Sequence, residues 1–257
     1  MVVTLTTDFG DGSSYVAAMK GALLAVNPAA RLLDLTHRLP PQDLTAAAYF
    51  LADALPWFPP GTVHVVVVDP GVGTDRAALC VEWNGQVILV PDNGCWTALL
   101  RAGDPPPPVY RLENRRFWQP DVSATFHGRD IFAPAAGHLT LGVKPAELGP
   151  PVAEWVRLTL PQPEITAGGV RGVVVIVDSF GNLVTNIPAA AMPPGARVQI
   201  GGQPVPRRVR TYGDAEPGAL VALIGSSGRL EVAVVNGSAA ARLGFGTGTP
   251  VEVRRTG

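Results

Sequence analysis

Val65-Val66-Val67-Val68-Asp69-Pro70-Gly71-Val72-Gly73-Thr74-Asp75-Arg76 is the stretch whose reading decides the fold. Four consecutive valines suit a strand buried on both faces, as in a parallel sheet. Asp69 follows the last valine, Pro70 ends the ladder, and Gly71 and Gly73 supply a tight turn that delivers Arg76. In open α/β sheets ligands bind outside the carboxyl ends of the strands, so a carboxylate placed there is a site candidate. Asp also favours turns for purely local reasons, which leaves Asp69 as a turn cap and Arg76 as a surface charge equally open at this point.

Working outward, residues 2–7 read as a short buried strand ending in Thr7-Asp8-Phe9-Gly10. Capping residues at Asp11-Gly12-Ser13-Ser14 precede a helix over 15–26, stopped by Asn27-Pro28. A strand over 31–37, a helix over 42–55 and the valine strand follow, an order that implies parallel pairing with right-handed crossovers. Asn84-Gly85 then marks a hairpin between strands at 77–83 and 86–90. Helices are expected from Gly94 to about Arg101 and over 131–141. Beyond Gly149-Pro150-Pro151 helical patterns stop, and six short strands are expected at 170–177, 197–200, 205–211, 220–224, 230–235 and 251–254. The expected fold class is α/β: a Rossmann-like, mostly parallel sheet domain at residues 1–155, then a smaller all-β, barrel-like domain at 156–257.

Composition narrows the function classes. With 47% hydrophobic and 16% charged residues the chain can build a sizeable core. A net charge of −1 gives no electrostatic case for nucleic acid or anionic lipid as partner. Apolar runs stay short of a membrane span and the N-terminus lacks a basic leader, so a cytoplasmic protein is expected. Cys80 and Cys95 form no CxxC pair; buried thiols in a reducing compartment fit them, a disulfide being the alternative.

Asp8, Asp34, Asp69 and Asp92 each stand at or near a strand end, where parallel pairing gathers them on one edge. A carboxylate there can accept both hydroxyls of a ribose; for Asp34 and Asp92 a turn cap is the plainer reading. Gly71-Val72-Gly73 lacks the third glycine of a dinucleotide fingerprint, and there is no Walker loop, HExxH or nucleophile elbow. His37, His64, His127 and His138 show no metal-ligand spacing, so no metal is expected. His64 sits in an apolar strand and reads as a core histidine, whereas His127 lies in a loop between Phe126 and Gly128-Arg129-Asp130.

Thr7-Asp8-Phe9-Gly10, Val68 to Thr74 with Arg76, Pro91-Asp92-Asn93-Gly94, Thr125 to Asp130, and Asp178-Ser179-Phe180-Gly181-Asn182 with Thr185-Asn186 together resemble the S-adenosylmethionine hydroxide adenosyltransferases. These are water-using relatives of the fluorinase and chlorinase, and the resemblance runs in order through nearly the whole chain. It implies cleavage of S-adenosylmethionine by water to adenosine and methionine, with no cofactor beyond that substrate. It implies a homotrimer, each site lying between the α/β domain of one subunit and the β domain of its neighbour. It implies a water-holding set that falls on Asp69, Arg76 and His127. By the same resemblance Asp8 binds ribose hydroxyls and Phe126 lines the pocket near the reacting carbon. Asp178, Phe180 and Asn182 belong to the adenine side with Tyr212 stacking, and Ser226, Glu231 and Asn236 to the methionine and adenine ends. Two rivals stand: a halogenase of the same family, and a non-catalytic adenosine or S-adenosylmethionine binding module. The second has no need of Asp69, Arg76 and His127 together.

Overall fold

The computed structural model describes residues 1–101 and 103–255 and falls into two compact units, Met1–Leu158 and Thr159–Gly257. In the first unit β1 (Val2–Thr7), α1 (Ser14–Val26), β2 (Arg31–Thr36), α2 (Leu44–Ala54) and β3 (Val63–Val67) follow in turn. Next come the hairpin β4 (Ala78–Trp83) and β5 (Gln86–Pro91), a short β6 (Val109–Arg111) and α3 (Ala133–Thr140). The six strands lie in the order β2-β1-β3-β5-β4-β6. Pairings among β2, β1, β3 and β5 are parallel; β4 runs antiparallel to β5 and β6.

The valine run explains the layering. Val63, Val65 and Val67 pack with Met19 and Leu23 of α1 and Ala136 and Leu139 of α3. Val66 and Val68 pack on the other face with Ala47 and Leu51 of α2. One strand therefore serves two cores, and each fully buried valine side chain contributes roughly 1.5–3 kcal/mol. The first helix follows its expected cap, Ser13 accepting from Tyr15 N (3.2 Å); the second starts two residues later than expected, because Asp43 caps it by accepting from Ala46 N (2.8 Å). His64 is a core histidine, as expected: it is fully buried, with Nδ1 2.7 Å from Thr4 Oγ1 and Nε2 3.0 Å from Gln86 Oε1. Burial lowers its pKa to about 4, so the ring is neutral.

The expected helix from Gly94 to Arg101 is one 3₁₀ turn, Thr97–Leu99. Cys95, Trp96 and Leu99 are buried, and Thr97 spends its hydroxyl on Gly94 O (2.6 Å) and on Leu158 N (3.0 Å), so packing overrides the helical pattern. The helix expected from residue 131 begins as a π-helical turn, Gly128–Phe132, before α3.

The second unit is a single nine-stranded, nearly closed, barrel-like sheet. Its strands are β7 (Glu164–Thr166), β8 (Gly169–Val177), β9 (Leu183–Pro188), β10 (Arg197–Ile200), β11 (Gln203–Val205), β12 (Arg207–Arg208), β13 (Leu220–Ile224), β14 (Arg229–Val234) and β15 (Pro250–Arg254). The order is β11-β10-β15-β8-β9-β14-β13-β12, with β7 added to β8. A short helix α4 (Ala239–Leu243), absent from the sequence reading, packs near β14. The strand expected over 205–211 splits at Pro206: β11 pairs with β10 and β12 with β13, since proline cannot donate to a ladder.

β9 is also absent from the sequence reading. It carries Thr185 and Asn186, polar residues that are nonetheless buried. Asn186 Oδ1 accepts from Val173 N (2.8 Å), and its Nδ2 donates to Pro161 O (3.0 Å). This half of the motif holds the sheet together beside an irregularity between Val174 and Ile176.

Candidate active site

Register places the candidates of the first unit. Thr7 of β1 pairs with Val67 of β3, so Asp8 and Asp69 leave the sheet at one edge. Together with Phe9, Gln42, Phe126 and His127 they line a cavity of about 260 Å³. Asp8 accepts Gln42 N at 2.8 Å. Gln42 is a site residue that sequence reasoning missed; it stands at φ 62°, and nothing local marks a non-glycine residue for that conformation.

The turn after β3 is built from its own backbone. Thr74 N donates to Gly71 O (3.2 Å) and Val72 N to Asp69 O (3.2 Å), while Asn93 Nδ2 holds Val68 O at 2.8 Å. Gly73 is required here: φ is +82°, and a Cβ would lie 2.4 Å from Ala124 O. The turn therefore presses directly on the loop that carries Phe126 and His127.

Arg76 joins the two loops. Its Nε donates to both Asp69 oxygens at 3.0 Å, and Nη2 donates to Asp69 Oδ2 and approaches His127 Nδ1 at 2.7 Å. The side chains of Arg76 and Asp69 are only 9% and 4% exposed. Its guanidinium also lies 5.7 Å from the Phe132 ring centroid. A guanidinium has no acceptor, so His127 Nδ1 accepts and the ring proton sits on Nε2. Burial first, then the Arg76 charge, lowers the His127 pKa, while Asp69 and Asp130 pull the other way. A neutral imidazole is consistent with both facts. Asp69 and His127 face the cavity; Arg76 braces them from behind.

Phe9, Phe126 and Tyr15 form an edge-to-face trio with ring centroids 5.2 to 6.1 Å apart, an apolar wall beside these polar groups. Cys95 is fully buried, and burial raises its thiol to about 12, with Asp69 adding to the effect. It is a packing residue, and both cysteines are free.

Asp34 and Asp92 do other work. Asp34 meets Lys20 Nζ at 2.6 Å and His37 Nε2 at 3.1 Å, and Asp92 accepts Val156 N at 2.8 Å.

The second unit carries its own pocket, about 730 Å³, lined by Asp178, Phe180, Asn182, Tyr212, Ser226, Glu231 and Asn236 among others. All seven sequence candidates of that half meet there. Asp178 shapes the turn: Oδ1 accepts Phe180 N (2.9 Å) and Asn182 N (2.8 Å), and Oδ2 accepts Asn182 Nδ2 (2.9 Å). Phe180 is thereby held 76% exposed, a flat and largely uncovered apolar face. Tyr212 donates its hydroxyl to buried Glu231. Burial raises the Glu231 pKa, the Tyr212 bond opposes it, and the Asp178 charge adds to the rise. Gly225 leaves room for this pair, because a Cβ there would lie 2.6 Å from Glu231 Oε2. Among the described residues no group of three His, Cys, Asp or Glu side chains could hold a metal ion, and no helix is long and apolar enough to cross a membrane.

Comparison with known proteins gives matches over both units. Residues 3–149 match the SAM hydroxide adenosyltransferase N-terminal domain and residues 172–252 its C-terminal domain. A protein named (R)-S-adenosyl-L-methionine hydrolase from Thermus thermophilus is 46% identical, covering 98% of each chain. One of the same name from Salinispora tropica is 40% identical over 98% of this chain and 97% of its own. The solved structure of an uncharacterized conserved protein from Thermotoga maritima superposes with a TM-score of 0.91 at 35% identity, covering 99% of this chain and all of that one. Proteins named fluorinase are more distant, at 25 to 27% identity. Matches to both domain descriptions, in order and over most of the length, show that the chain belongs to the S-adenosylmethionine hydroxide adenosyltransferase family.

Proposed function

We propose that the protein hydrolyses S-adenosyl-L-methionine to adenosine and L-methionine, water attacking the 5′ carbon and methionine leaving as a neutral thioether. The names of its relatives point to the same reaction and to the (R) sulfonium epimer. The observation that carries the reading is Arg76 bridging Asp69 and His127 behind a cavity lined by the latter two. A binding module has no use for a carboxylate, a guanidinium and a neutral imidazole locked together.

The sulfonium departs without needing a general acid, so the burden falls on the nucleophile, which must shed a proton as its bond to carbon forms. His127 presents Nε2–H, a donor suited to the water oxygen or the developing hydroxide. Asp69 is the anionic acceptor beside it, and its free lone pairs can take the water's proton; it passes to solvent after adenosine forms. Arg76 holds both groups in register and keeps the set near neutrality.

Asp8 is suited to the ribose hydroxyls, and Phe126 to lining the reacting carbon. On the other unit Phe180 and Tyr212 offer adenine stacking surface, with Asn182, Ser226, Glu231 and Asn236 for polar groups. Neither pocket alone carries both sets of groups. We place the two halves of each site on neighbouring subunits of a homotrimer. Light scattering that finds an active monomer would refute the assembly.

Running the reaction in ¹⁸O-labelled water tests the chemistry: the label is expected on the 5′ oxygen of adenosine. Excess chloride or fluoride is expected to yield no 5′-halo-adenosine, since the Asp69 carboxylate, and not the Arg76 guanidinium behind it, lines the cavity and repels a halide at short range. A halogenated product, or unlabelled adenosine, would overturn the assignment.

A further inference from the structure

We infer that Asp130, with Arg129, is a positioning residue that sets where Phe126 and His127 stand, an inference that rests on the hydrolase reading above. The loop between the 3₁₀ turn Arg115–Phe117 and the π-helical turn contains no strand, yet it delivers both side chains to the cavity. Asp130 anchors it twice. Its carboxylate accepts Ser123 N at 2.8 Å, and its own carbonyl accepts Gln119 N at 2.8 Å. The side chain is 1% exposed, so this carboxylate is buried and needs a partner.

Arg129 supplies the partner with a two-pronged bond, Nε to Oδ1 at 2.5 Å and Nη2 to Oδ2 at 2.8 Å. The same guanidinium lies 5.0 Å from the Phe126 ring centroid, and Phe9 and Tyr15 pack edge-on with the same ring. Phe126 O in turn accepts the N–H groups of Arg129 and Asp130 at 3.2 Å each. The backbone of the reactive loop and its aromatic side chain are thus tied to one ion pair, in which Asp130 is buried and Arg129 is partly exposed. Neither Asp130 nor Arg129 lines the 260 Å³ cavity, so the pair acts through Phe126 and His127. Slackening it alters the 2.7 Å approach of Arg76 to His127 Nδ1, and a misplacement of about 1 Å in such a set costs roughly 10²-fold in rate.

The test uses full-length Asp130→Asn and Arg129→Lys. Asparagine keeps an acceptor for Ser123 N but loses the charge; lysine keeps the charge but not the two-pronged bond. Steady-state kinetics on S-adenosylmethionine and ¹⁵N NMR of the histidine rings are read together, His127 being assigned by its loss in His127→Ala. Expected for both variants is a kcat fall of about 10-fold or more with KM changed far less, and a His127 ring that no longer shows Nδ1 as sole acceptor. A folded variant with wild-type kcat and an unchanged His127 spectrum overturns the inference. If Asp130→Asn fails to fold, Arg129→Lys alone decides. If the wild-type protein turns over no S-adenosylmethionine, the hydrolase reading fails, and the His127 spectrum still tests the positioning role.

Discussion

Replacing Arg76 by methionine removes the guanidinium and keeps most of the side chain's volume. Three donor contacts to Asp69 and one to His127 disappear together, in a place where Arg76 and Asp69 are 9% and 4% exposed. Water cannot freely replace them, so Asp69 is left as a buried carboxylate without its counter-charge. Breaking one side of such a pair costs about 3–5 kcal/mol. For a unit of this size each kcal/mol lowers the melting temperature by about 2–4 °C, so a drop of roughly 6–20 °C is expected. Catalysis should suffer separately, by about 10²–10⁴ in kcat, because the two cavity-facing groups lose their common brace. Arg76→Lys, which keeps the charge without the fork, should recover part of the stability and little of the rate. Thermal melts followed by circular dichroism and adenosine release followed by chromatography give both numbers. A methionine variant that melts within about 2 °C of wild type and keeps its kcat would show that this ion pair neither holds the fold nor organises the nucleophile.

The depressed His127 pKa sets a sign for pH dependence. Its folded form binds a proton less readily than the unfolded chain, so its contribution to stability is present above the ordinary value of 6.5 and lost as pH falls toward the folded pKa. His64 and His138 are lowered as well, so the check is the difference in melting temperature between wild type and His127→Asn, which should widen with rising pH only inside that window. Gly73→Ala should destabilise by about 2 kcal/mol or more through its left-handed φ and the clash with Ala124 O, and should cut turnover by displacing the His127 loop; a urea midpoint equal to wild type would contradict this. Tyr212→Phe leaves Glu231 buried without its donor and keeps the ring; on the proposed reading it should raise KM severalfold with kcat nearly unchanged; isothermal titration with adenosine, showing undiminished affinity, would show that the Tyr212–Glu231 bond plays no part in binding.

Local chemistry made part of this protein legible in its sequence. The valine run, the Asn84-Gly85 hairpin and the Ser13 cap each act over a few residues, so strand, turn and helix start could be read where they stand. The turn with Gly71 and Gly73 that brings Asp69 and Arg76 together, seven positions apart, was legible too, though the residues alone left a turn cap and a surface charge equally open. Other features depend on contacts between distant segments. His127 reaches Arg76 across 51 positions, and Gln42 reaches Asp8 across 34. β9 hid behind buried Thr185 and Asn186, whose polarity reads as loop until Val173 and Pro161 satisfy it. The segment after Gly94 carries a helical pattern that Trp96 and Thr97 give up for packing. Periodicity and turn chemistry are written locally and survive without the rest of the chain. Which buried polar group finds which partner is settled only when distant segments close on one another, because an unpaired group in that interior costs about 1–3 kcal/mol and the pairing that avoids it is a property of the whole fold.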